Sequence, residues 1–101
     1  MLIYKIEITN LAEEEYTSGF HYYEEQQVGL GNKFEKEADS LMNQLKTNPF
    51  LFQRKYKHYR EAIFKRFPYF LVYEILDNSI IIHSFFQANR NPKRKLKRRS
   101  K

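Results

Sequence analysis

Along the first eight residues, apolar and polar side chains alternate. Leu2, Tyr4, Ile6 and Ile8 share one parity, Ile3, Lys5 and Glu7 the other. A period of two predicts a strand. The period then lengthens. Ala12, Tyr16, Gly19 and Tyr23 are spaced 4, 3 and 4, one stripe of a helix that Leu11 and Tyr22 flank. Thr9 or Asn10 is placed to cap it, and Glu13, Glu14 and Glu15 suit the positive end of its dipole. The run "VGLGN" should break this helix, Gly29 taking a left-handed conformation and Gly31 loosening the turn. A second stripe follows at Leu30, Phe34, Ala38, Leu41 and Leu45, and Asn48-Pro49 ends it.

Beyond Pro49 the period returns to two. "HYREAIFKRF" sets Ala62 and Phe64 against Glu61, Ile63 and Lys65. "PYFLVYEIL" places Tyr69, Leu71, Tyr73 and Ile75 on one face and Phe70, Val72, Glu74 and Leu76 on the other. Pro68 suits a strand start, where a missing N–H costs little. Asp77-Asn78 reads as a hairpin turn leading into a last strand, "SIIIHSFFQ". The order is β-α-α-β-β-β. Two consecutive helices with a short connection form a hairpin. The expected class is α+β, with the helical hairpin packed on one face of a mostly antiparallel sheet and the other face partly open.

Charge adds a division that the periodicity does not show. The chain of 101 residues carries a net +6, yet residues 93–101, "KRKLKRRSK", hold seven cations and no acid. Residues 1–92 therefore sum to about −1, with −5 over residues 1–50 and +4 over residues 51–92. The reading is one domain over 1–92 with a basic tail over 93–101. Such a tail is a solvated extension or a contact to phosphates. With no cysteine, disulfides and thiolate metal sites are excluded. No apolar run approaches the ~20 residues of a membrane span, and the charged N-terminus is unlike a signal peptide. A cytoplasmic protein without membrane association is expected.

Candidate chemistry is sparse. His21, His58 and His83 lack metal-ligand spacing, "GLG" lacks the strand that precedes a phosphate loop, and no serine is set beside a base. No catalytic residue, metal or cofactor is assigned. The candidates for binding a partner or nucleic acid are Arg60, Lys65, Arg66 and Arg90, with Lys93, Arg94, Lys95, Lys97, Arg98 and Arg99 of the tail. Lys55 and Lys57 lie near them in sequence.

Three stretches in order, "YYEEQQVGLGNKFEKEADSLMNQLKTNP", "YREAIFKRFPYFLVYEI" and "FFQANRNP", resemble the RelE/ParE superfamily of type II toxin–antitoxin toxins. The resemblance runs from about residue 3 to residue 92. It implies an open sheet face and a cognate antitoxin as partner. It also implies one of two activities: binding that poisons DNA gyrase, as in the ParE branch, or ribosome-dependent mRNA cleavage, as in the RelE branch. The cleaving branch resembles a nuclease that works with cations and a tyrosine. Aligned on "PYFLVYE", its two basic positions on the preceding strand fall on Glu61 and Ile63, and its following arginine on Phe70. Arg90 alone matches a cation, and no tyrosine follows Tyr73. The open face is thus expected to be apolar, rimmed by Lys65, Arg66 and Arg90, and to hold a protein helix by its apolar side. A ParE-like toxin acting by binding is the expected function; a RelE-type nuclease with rearranged cations, or an inactive homologue, is the alternative.

Overall fold

The computed structural model describes residues 3–88. Strand β1 (Lys5–Ile8) is followed by helices α1 (Asn10–Gln26) and α2 (Leu30–Thr47). Four strands complete the fold: β2 (Arg54–Tyr56), β3 (Tyr59–Ile63), β4 (Tyr69–Leu76) and β5 (Ser79–Gln87). They form one sheet in the order β1-β5-β4-β3-β2. β1 runs parallel to β5 and every other pair is antiparallel. The α+β class and the helical hairpin match the sequence reading. That reading lacked β2, three residues without an apolar alternation to announce them.

Local chemistry sets the helix boundaries. Thr9 adopts an extended backbone, and its Oγ1 accepts from the Ala12 amide at 3.1 Å, so Thr9 is the cap. The same hydroxyl donates to the His83 carbonyl at 3.3 Å, fastening the start of α1 to β5. Gly29 turns left-handed, with φ 91°, between the helices. Gly31 does something other than loosen the turn. It is buried in the first turn of α2, where a Cβ would lie 2.7 Å from the Phe20 carbonyl oxygen. The Glu24 carboxylate stitches the junction, accepting from the Gly29 and Gly31 amides at 3.0 Å.

Both helices cover the same sheet face. Phe34 is fully buried at the centre, stacked on Phe64 at 5.5 Å between ring centroids and edge-on to Phe67 and Tyr69. Ala38 and Leu45 of α2 and Leu71, Tyr73, Ile80 and Ile82 of the sheet are fully buried around it. Each such large side chain contributes about 1.5–3 kcal/mol by leaving water. Between β4 and β5 the register slips: Val72 faces Ser84 but Tyr73 faces Ile82, so His83 is an extra residue, a bulge.

Candidate functional site

The sheet face turned away from the helices carries Tyr59, Glu61 and Ile63 from β3 and Phe70, Val72 and Glu74 from β4. The register sets Glu61 opposite Val72 and Ile63 opposite Phe70. Phe70, Val72 and Phe86 form a second apolar cluster, with Tyr59 packed against it, and the Phe70 and Phe86 rings stack at 5.4 Å. The positions where the nuclease resemblance places cations, Glu61, Ile63 and Phe70, thus lie together on this face as an acid and two apolar groups.

One part of the face was illegible in sequence. Glu74 accepts from two imidazoles at once, one carboxylate oxygen lying 2.9 Å from His58 Nε2 and the other 2.9 Å from His83 Nε2. Tyr59 packs against both rings, edge-on to His83 at 5.3 Å and tilted over His58 at 4.5 Å. The turn between β2 and β3 and the bulge in β5 bring these histidines together across the sheet. The expectation of a face whose chemistry had been replaced by apolar residues is therefore corrected: groups able to transfer protons are present beside the apolar cluster. Among the described residues, no group of three His, Cys, Asp or Glu side chains is arranged to hold a metal ion.

A second feature lies where α2 passes β3. A groove of ≈ 380 Å³ is lined by Lys33, Lys36, Lys65 and Arg66 around an apolar floor that includes Leu41 and Phe52. Its shape follows from the core. Phe64 and Phe67 insert under α2, which draws residues 65 and 66 toward that helix. The Glu37 carboxylate then accepts from the Lys65 and Arg66 amides. Lys33 and Lys36 were missed as site residues, because their one-turn spacing on a charged helix looks like any solvated face. Joining them to Lys65 and Arg66 takes the fold.

A model of the ParE toxin of type II toxin–antitoxin systems (parDE) matches residues 6–92. The chain belongs to this ParE toxin family. A solved chain of the chromosomal ParDE system from P. aeruginosa has the same fold. It shares 13% sequence identity and a TM-score of 0.64, covering 86% of this chain and 98% of the other. No curated protein sequence matches. Membership makes the chain a toxin-type component of a toxin–antitoxin module, which implies an antitoxin as its partner. No described helix is long and apolar enough to cross a membrane.

On the ParE fold the binding candidates separate. Arg60 is on the helix side of the sheet, paired with Tyr73, where it donates to the Phe52 carbonyl at 2.7 Å and lies over the Phe50 ring. It is a structural tie for the chain leaving α2 and does not join Lys65 and Arg66. Those two stand with α2 along the groove. Arg90, Lys93, Arg94, Lys95, Lys97, Arg98 and Arg99 lie outside the described residues.

Proposed function

We propose that this ParE-family toxin acts by gripping a cellular target, DNA gyrase being the target that the family resemblance suggests, and that a cognate antitoxin neutralises it. The observation that carries this reading is the position of Arg60. It is the one lysine or arginine within β3, β4 and β5, and it faces the helices. Cleaving a phosphodiester needs positive charge where the transition state gathers negative charge. The three central strands carry carboxylates on their outer face instead, Glu61 and a Glu74 already engaged by His58 and His83. The groove beside α2 suits the antitoxin: an apolar floor for one side of a helix, with four cations for its acidic flank.

A second reading keeps one specific support. The His58–Glu74–His83 cluster could move protons, so a rearranged RelE-type ribonuclease remains the competing activity. The decisive experiment applies purified toxin to gyrase supercoiling and to message on translating ribosomes. Inhibited supercoiling with intact message supports binding. Message cut on the ribosome, with cleavage lost on His83→Ala, overturns it.

A further inference from the structure

We propose that the hairpin of β2 and β3 docks a single strand of nucleic acid, its phosphates meeting Arg54, Lys55 and Lys57 and a base stacking on His58. Charge is one-sided here: residues 40–60 contain no acid. Arg54, Lys55 and Lys57 are exposed and, among the described residues, form no ion pair.

Each of the three cations also sits where a hairpin disfavours it. The register sets Arg54 opposite Arg60, and like charges so placed destabilise a strand pair. Arg60 turns to the Phe52 carbonyl, while Arg54 stays exposed. Between Arg54 and Tyr56 the register slips by one, so Lys55 is a bulge residue on an edge strand. Lys57 takes a left-handed backbone, φ 52°, at a turn that favours asparagine or glycine. A merely solvated strand end gains nothing from three such costs. Local preferences that are broken and kept broken mark functional sites.

The rings supply the second half of the surface. The His58 side chain is 61% exposed and tilts over Tyr59 at 4.5 Å between centroids, and Tyr59 is edge-on to His83. Glu74 holds both imidazoles at 2.9 Å, which ties the turn across the sheet. The exposed His58 ring can therefore be continued by one more planar group. Cations beside fixed rings are the chemistry of sequence-tolerant single-strand binding. A duplex keeps its base faces covered and offers His58 nothing. None of these four residues lines the groove beside α2, so the surface is separate from the one assigned to the antitoxin.

The test uses the full chain and labelled single strands of thymidine or uridine nucleotides, ~12 long, read by fluorescence anisotropy over a range of salt. The tighter of the two names DNA or RNA as the source, and failure of both to bind overturns the proposal. Arg54→Gln, Lys55→Gln and Lys57→Gln together should lower the slope of log affinity against log salt by about 2, at ~0.7 per lost phosphate contact. An unchanged slope places the contacts on other cations, those of residues 93–101 included, and overturns it. His58→Ala should weaken the single strand about tenfold and leave a duplex of the same sequence unchanged, with His58→Phe restoring the loss. Equal losses for strand and duplex overturn the stacking. Should a variant not fold, the unmodified chain still decides: amide shifts on adding the strand should concentrate in residues 54–59, and shifts confined elsewhere overturn the proposal.

Discussion

The Tyr73 hydroxyl donates to the Pro49 carbonyl at 2.7 Å, joining the middle of β4 to the turn that leaves α2. Tyr73 is fully buried, and its phenol spans the core to reach a loop carbonyl just beyond the end of α2. Arg60 secures the same segment three residues on, through the Phe52 carbonyl. These two side chains hold the connection that the sheet's short edge strand β2 cannot hold alone. Tyr73→Phe keeps the ring and strands the carbonyl. It is expected to lower unfolding free energy by about 1–3 kcal/mol in chemical denaturation. An unchanged midpoint would mean that water replaces the bond without loss.

Alkaline pH should unfold the protein through its tyrosines. Burial pushes the Tyr23 and Tyr73 phenols up to about 12, and Tyr16 is raised further by burial and by nearby Asp39 and Glu35. In the unfolded chain all three titrate near ~10. A raised folded value means that the folded state holds its protons more tightly. The stability so contributed is complete below pH ~10 and is lost as pH rises toward the folded values. Tyrosinate absorbance followed beside circular dichroism should show part of the phenolate signal arriving together with loss of structure. Full ionisation near pH 10 with the fold intact would contradict this.

Gly31→Ala should be costly although alanine favours helices. The added methyl would meet the Phe20 carbonyl at 2.7 Å and Glu24 at 2.9 Å, so the two helices must move apart. Overpacking of this kind costs roughly 1–3 kcal/mol. Thermal unfolding gives the check, and a stabilised variant would refute the close approach.

Removing Glu15 should loosen the end of β5. Its carboxylate accepts from Ser84 Oγ at 2.8 Å and from the Phe85 amide at 3.1 Å. Glu15→Ala leaves that strand amide without its carboxylate partner, a loss of about 1–3 kcal/mol. Hydrogen exchange at Phe85 should accelerate ahead of exchange at Ile80. Uniform exchange along β5 would argue against a local role.

The cationic groove gives a prediction for binding. Lys36→Glu with Lys65→Glu should weaken the affinity for the antitoxin by roughly three- to tenfold, mostly through the association rate. Calorimetry at two salt concentrations reads it. An affinity indifferent to both substitutions would move the antitoxin elsewhere on the fold.

Strand and helix positions were largely legible in the residues because the face each side chain takes repeats with the local period. Tyr69, Leu71, Tyr73 and Ile75 alternate with the outer set in the order the sequence shows, and Phe34, Ala38, Leu41 and Leu45 form the buried stripe of α2. The family motifs were equally local, running in one order through the chain. Assembly of the sites was not local. His58 and His83 are separated by two strands in sequence, yet both point at Glu74, because a bulge shifts β5 by one residue. Arg60 and Arg66 look alike in sequence, but one is tied under the sheet and the other lines the groove beside α2. By itself the sequence determined every element except β2, the α+β class and the absence of thiol chemistry, since each depends on residue type and near-neighbour spacing. The tertiary structure alone decided which charges meet, because strand register, a bulge and the insertion of Phe64 and Phe67 under α2 set distances that no periodicity encodes.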